Sequence, residues 1–331
     1  MNGTPPVSAI FLHSAFRAGS TWFWNRFREA AGTYAYYEPF HEHKALMTRD
    51  TIAFDRQDIW NSGHPPLSAP YNAEYLPLLK LGGGVVNYRN RFDFQAYYSS
   101  GAEPEQQLYI EALAQYAHIL GKIPVFGFCR SQGRVPWFKR TCRGVNIVTL
   151  RNPWDQWSSI MEQIERKNGY FAFRVFRAAC VGSHASEYHS LFDGLSLPQP
   201  IGPTSETQSA SIEDYFWKMS FEKLFRVFLL VYVVDTLMSV PAADATVDLD
   251  RLSHSAEERA SVTRHLRQLT GLDDLSFDDC SLPRHPPHTE AIFPTVLAET
   301  LATLALFESR TGTRSPDILR AKLQEAQARF Q

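Results

Sequence analysis

Residues 9–21 read AIFLHSAFRAGST, and Trp22 follows them directly in a helix-like run. Ala9 to His13 is a short apolar strand and Ser14 to Gly19 a turn of small residues. Thr21 to Ala31 then reads as a helix, with Phe23, Phe27, Ala30 and Ala31 on one face and Gly32 as its stop. A strand feeding a small-residue turn and then a helix makes backbone N–H groups converge on a phosphate or sulfate. The triphosphate pattern G-x-x-x-x-G-K-[ST] is not met, because Ser20 stands at the lysine position and the only cation nearby is Arg17. The turn is therefore expected to cradle an anion other than ATP.

Outward from this turn, strand-like and helix-like patterns alternate. Thr33 to Tyr37, Ile123 to Phe128, Val145 to Leu150 and Val247 to Leu249 read as strands. Glu105 to Leu120 reads as a helix with Tyr109, Ala112, Leu113, Tyr116 and Leu120 on one face, and Asn152-Pro153 opens another that runs through Ile160 and Ile164. Further helices are expected from Ile212, from the capping box Ser255-x-x-Glu258 with Val262, Leu266 and Leu269 facing inward before Gly271, and near Pro294 and Pro316. The alternation predicts an α/β fold with a parallel sheet and helices on both faces. The whole chain, 1–331, is expected to form one domain, with 40–104 and 182–211 as substrate-side insertions or lids.

With 331 residues, 44% of them hydrophobic, the chain can bury a large core. A formal net charge of −2 gives no electrostatic footprint for nucleic acid or an anionic membrane. Cys129, Cys142, Cys180 and Cys280 are too dispersed for a disulfide framework or zinc site, which favours reduced thiols in a cytoplasm. The segment MNGTPPVSAIFLH lacks a basic n-region and a signal-type apolar stretch. Phe225 to Met238 is the most apolar segment, but Arg226 and Asp235 interrupt it. It reads as too short for a bilayer, so a buried core element and no membrane span are expected. His13, His41 and His43 lack the fixed spacing of a metal site, and no metal is expected.

In a parallel α/β sheet, ligands bind outside the carboxyl ends of the strands. The Ser14–Thr21 turn follows one strand, and Arg151 follows another at the place where a nucleotide triphosphatase usually carries a magnesium-binding Asp. An arginine there suits a second phosphate and repels a metal.

These residues resemble the sulfotransferases that use 3'-phosphoadenosine-5'-phosphosulfate (PAPS). Phe16-Arg17-Ala18-Gly19-Ser20-Thr21-Trp22 looks like that family's 5'-phosphosulfate loop. Arg151-Asn152-Pro153-Trp154-Asp155-Gln156-Trp157-Ser158-Ser159 is similar to its 3'-phosphate motif, in which an Arg and a Ser eight residues later bind the 3'-phosphate. The resemblance implies a P-loop NTPase-like fold, PAPS as donor, adenosine 3',5'-bisphosphate (PAP) as product and no metal. Arg17, Ala18, Gly19, Ser20, Thr21 and Trp22 would hold the phosphosulfate, and Arg151 and Ser159 the 3'-phosphate. In the carbohydrate-modifying branch a Glu after the second strand removes the acceptor proton; here Tyr37-Glu38-Pro39 fits, with burial expected to raise the Glu38 pKa and His41 as the alternative base. Arg130 is the candidate to neutralise the transferred sulfuryl group. The acceptor is expected to bear a hydroxyl, on a glycan, glycolipid or related small molecule. Tyr71, Tyr75, Tyr88 and Tyr97 are available either to stack on it or to pack the protein.

Two departures stand out. Arg17 occupies a position where many relatives have Lys, and the arylsulfotransferases' C-terminal glycine-rich basic loop has no counterpart beyond Arg284 and His285. The competing readings are a nucleotide kinase, which would need ATP, magnesium, the absent lysine and the absent Asp, and a noncatalytic PAP-binding protein.

Overall fold

The computed structural model describes residues 7–54, 67–93, 97–98, 101, 103–185, 187–202, 204–286 and 292–331. Its sheet strands are β1 (Ile10–His13), β2 (Thr33–Tyr37), β3 (Ile123–Phe128), β4 (Val145–Leu150) and β5 (Ala245–Asp248). They pair in the order β2-β3-β1-β4-β5, and every pairing is parallel. All residues of β1 and β4 are buried, as expected of parallel strands covered on both faces.

The helices are α1 (Ser20–Glu29), α2 (Arg49–Phe54), α3 (Pro104–Ile119), α4 (Val135–Thr141), α5 (Pro153–Glu165), α6 (Tyr170–Ala185), α7 (Ser205–Trp217) and α8 (Phe221–Ala242). They continue with α9 (Leu249–His254), α10 (Ala256–Thr270), α11 (Ile292–Thr311) and α12 (Asp317–Gln327). The two-residue period of β1 divides the core. Ile10 and Leu12 meet Phe23 and Phe27 of α1 and Leu266 of α10 on one face, while Phe11 meets α3 and α4 on the other through a cluster with Tyr109, Leu113 and Phe138. A third core lies among the helices, where α8 packs against α4, α6, α11 and α12.

The connections place the site. From β1 the chain passes through α1 to β2 on one side of the sheet; from β4 it passes through α5–α8 to β5 on the other. The carboxyl ends of β1 and β4 therefore flank a topological switch point, where diverging connections leave a crevice.

Several sequence expectations need correction. Ala31 and Leu120 are exposed, and the buried face of α3 is Gln106, Tyr109, Ile110, Leu113 and Ala117. The helix expected from Ile212 is two helices: α7 starts at a Thr204 capping box, and α8 at the Ser220 cap. The described parts of 182–211 are not a loose lid. Gly182 lies inside α6, and Leu191, Phe192, Leu195 and Leu197 are buried in the helical core. In 40–104, whose residues 55–66 fall outside the described set, Phe40, Tyr75, Tyr88 and Phe92 pack beneath the sheet. Tyr71 and Tyr97 are buried as well, so all four tyrosines considered for the acceptor are packing residues.

The apolar segment around Phe225 is longer than it reads, because α8 extends to 22 residues and meets the length a bilayer requires. Its apolar window is 83% buried inside the protein, while the second helix of comparable character, α11, is 33% buried.

Gly127 sits in β3 opposite both Leu12 and Tyr37, and a Cβ there would fall 2.5 Å from the Trp24 ring. Gly127→Ala should lower stability by about 2 kcal/mol, the usual scale of overpacking. Urea unfolding should show a lower midpoint with an unchanged slope.

Candidate active site

The turn after β1 is held by the sheet. The Ser14 N–H donates to the Phe128 carbonyl at 2.9 Å, and its hydroxyl shares a 2.6 Å hydrogen bond with Thr149 at the end of β4. The chain then passes through left-handed conformations at Arg17 (φ 62°) and Gly19 (φ 93°). Gly19 caps α1 with no side-chain hydrogen bond, so the first N–H groups of the helix have no intrahelical acceptor and face the crevice end of the sheet. Glycine is required here twice over: its φ is positive, and a Cβ would approach the Leu282 side chain to 3.0 Å.

The two sequence motifs meet at this turn. Arg17 Nε donates to Ser159 Oγ at 3.0 Å, and Arg151 Nη1 donates to the Arg17 carbonyl at 2.9 Å, across 134 residues of chain. Phe171 stacks under the Arg17 guanidinium, 5.1 Å from ring to charge. Arg151 is buried, and burial lowers its pKa despite the acidic Asp155 and Asp250 nearby. Its Nε has no hydrogen-bond partner. The segment 282–286 crosses this place: Pro283 O accepts from Arg151 Nη2 at 2.5 Å, the His285 N–H donates to Asp155 at 2.6 Å, and Pro286 O accepts from the Trp154 indole at 3.0 Å. His285 itself pairs with Glu162, and Arg284 is exposed.

Of the remaining residues assigned to the loop, Ser20 Oγ lies 2.9 Å from the Cys129 thiol and Thr21 Oγ1 3.0 Å from the Tyr37 hydroxyl. Ala18 is buried, with its N–H on the Ala15 carbonyl. Trp22 turns aside and packs on Phe23 and Phe277.

Glu38 leaves β2 in a left-handed conformation at φ 46°, which is rare outside glycine and concentrates at functional sites. Its carboxylate is buried and accepts the Cys129 N–H, while its other oxygen is 3.9 Å from Arg130 Nη1. Burial raises its pKa, and Arg130 together with the Cys129 N–H offsets this only in part.

Arg130, at the end of β3, is just 1% exposed. Its Nη1 is 3.2 Å from Glu42, its Nη2 donates to the Tyr170 hydroxyl, and Phe16 of the turn lies 5.5 Å from its charge. Burial opposes ionisation of Glu42, but Arg130 and Arg174 outweigh it and bring its pKa below the ordinary carboxylate value. His41 Nε2 is 3.3 Å from the Tyr170 hydroxyl, and its Nδ1 accepts the His43 N–H. Burial and then Arg130 push the His41 pKa well down, so this ring is neutral.

Tyr170, Glu42, Asp93 and Arg174 join the site without any periodic signal in the sequence; what marks them is long-range pairing visible only in the fold. Among the described residues, no group of three or more His, Cys, Asp or Glu side chains is arranged to hold a metal ion. Comparison with protein families, curated proteins and solved structures finds no match to this chain.

The turn that carries Arg130 is fastened by a buried polar chain. Ser131 Oγ lies 2.6 Å from His13 Nδ1, and His13 Nε2 lies 3.1 Å from Asn146 Oδ1. Since Oδ1 can only accept, Nε2 carries the ring proton and Nδ1 accepts from Ser131. Burial lowers the His13 pKa to about 4, below its ordinary 6.5. The neutral ring is thus favoured in the folded state; its contribution is complete above pH 6.5 and is lost as pH falls towards 4. Chemical denaturation across this interval should show a loss of about 3 kcal/mol traceable to His13. His13→Gln should flatten the profile there.

Proposed function

We propose that the protein is a PAPS-dependent sulfotransferase acting on a hydroxyl of a carbohydrate acceptor, with its five-stranded sheet in a P-loop NTPase-like role. The observation that carries this reading is the meeting of Arg17, Arg151 and Ser159 at the switch point, beside the uncapped start of α1. Two anion-binding elements side by side suit a donor with a phosphate at each end of its ribose. The unpartnered Nε of buried Arg151 supports the fit, since a phosphate oxygen would satisfy it. An arginine in place of a strand-end carboxylate argues against a magnesium-dependent kinase.

The donor, when bound, supplies the sulfuryl group. The N–H groups at the start of α1, with Arg17, would bind its phosphosulfate, and Arg151 and Ser159 its 3'-phosphate. The acceptor proton passes to Glu38, whose raised pKa makes it a stronger base than an exposed carboxylate. As the acceptor oxygen bonds to sulfur, the bond from sulfur to the phosphate oxygen breaks, and PAP leaves with that electron pair. Arg130, held by Glu42 and Tyr170, offsets negative charge on the sulfuryl oxygens. Four free cysteines, three of them buried, accord with a reducing, cytoplasmic setting.

Glu38→Gln should preserve PAP affinity while lowering turnover by about 100-fold or more, as expected on losing a general base. Isothermal titration with PAP and single-turnover transfer from labelled PAPS measure the two effects separately. Unchanged turnover removes Glu38 from the role. Arg151→Ala should weaken PAP binding by about tenfold or more. Thermal stabilisation by ATP and magnesium, but not by PAP, would favour the kinase.

A further inference from the structure

A run of aromatic rings extends from the turn after β1 to the start of α6. Phe16 packs on Phe171 with centroids 6.0 Å apart, Phe171 on Tyr170 at 5.5 Å, and Tyr170 stacks on His41 at 6.3 Å with planes 13° apart. One residue before Tyr170, the chain passes beneath the Trp217 indole at Gly169, where a Cβ would lie 2.8 Å from the ring. Phe216 supports the same indole edge-on at 4.9 Å. Trp217 is nevertheless 63% exposed, and among the described residues its Nε1 reaches only Glu213 on its own helix, at 3.4 Å.

An indole in this position is fixed without being covered. A glycine leaves room below it and a phenylalanine braces it, so the side chain loses freedom while its outer face stays in water. Lys167, held at φ 62°, and Asn168 lie in the turn between α5 and α6, and Glu213 and Asp214 lie on α7. Asn168 is held by Gln163 and the Tyr170 N–H and Asp214 pairs with Lys218, so these two elements carry charges of both signs, which disfavours a strongly charged ligand. A flat ring with a polar rim suits the C–H face of a sugar. Gly169, beneath the ring, directly precedes Tyr170, whose hydroxyl accepts from Arg130 in the site.

We propose that Trp217 forms a subsite for a non-reacting sugar of the acceptor, so that the acceptor is a neutral oligosaccharide rather than a single sugar or a small alcohol. The assignment of a reacting sugar at Glu38 rests on the sulfotransferase reading; the binding of a saccharide at Trp217 is measured separately from it.

The test is calorimetric titration of the full chain, with and without PAP, using maltohexaose, cellohexaose and chitohexaose. The corresponding monosaccharides and neutral phosphatidylcholine vesicles serve as comparators. At least one hexasaccharide should bind and quench tryptophan fluorescence. Trp217→Ala should weaken it by about tenfold or more, Trp217→Phe should restore most of the affinity, and Gly169→Ala should weaken it by displacing the ring. PAP affinity should be the same in all four proteins. The subsite is overturned if no hexasaccharide binds, if Trp217→Ala binds as the wild type does, or if the substitution abolishes vesicle binding or self-association instead. PAP binding with no saccharide binding discards the subsite and leaves the donor assignment standing. Trp217-dependent saccharide binding without PAP binding does the reverse.

Discussion

Asp93 is the charge on which the helical side of the molecule, beside the crevice, depends. It is fully buried, and one of its oxygens accepts from Arg174 at 2.8 Å, Arg177 at 2.7 Å and Ser205 at 2.7 Å, tying together the 90s segment, α6 and the first residue of α7. Its backbone carbonyl also accepts from Arg134 at 3.0 Å. None of these cations can lose its partner cheaply, because an uncompensated buried charge costs about 3–5 kcal/mol. The helices beside the crevice are therefore positioned by electrostatics as much as by apolar packing.

The same network sets the charge available at the strand ends. Arg130, Arg134, Arg174 and Arg177 lie within reach of Asp93, Glu42 and Glu38, so the cluster carries more cations than carboxylates among the described residues. Burial makes the excess felt strongly, since little water intervenes to screen it. It also explains the contrast between two nearby carboxylates. Glu42 sits between two guanidinium groups and stays ionised, whereas Glu38 has its nearest cation at 3.9 Å and is pushed the other way.

What the sequence reveals follows from how local each signal is. β2, β3 and β4 are legible because short apolar runs between turn residues describe parallel strands, and Asn152-Pro153 marks α5 because capping is decided within three residues. The turn after β1 and the Arg151 segment are legible for the same reason: each depends on its own backbone. Tyr170 and Asp93 are not, since an isolated tyrosine or aspartate acquires meaning only from partners far along the chain. The segment 182–211 misleads because glycine, serine and proline outnumber the few leucines that decide its burial. In α3, a single continued period places Leu120 inward, but the helix ends at Ile119 and the chain turns away.

α8 has a consequence for synthesis of the protein. It is a 22-residue, predominantly apolar helix that rests against α4 and α6, which precede it, and against α11 and α12, which follow. On the ribosome it emerges before the part of its covering that α11 and α12 supply. Until α11 and α12 arrive, the nascent chain exposes the apolar side of α8 that they cover, and exposed apolar surface is prone to aggregation. α11 and α12 thus complete the burial of a helix that has the length of a membrane span.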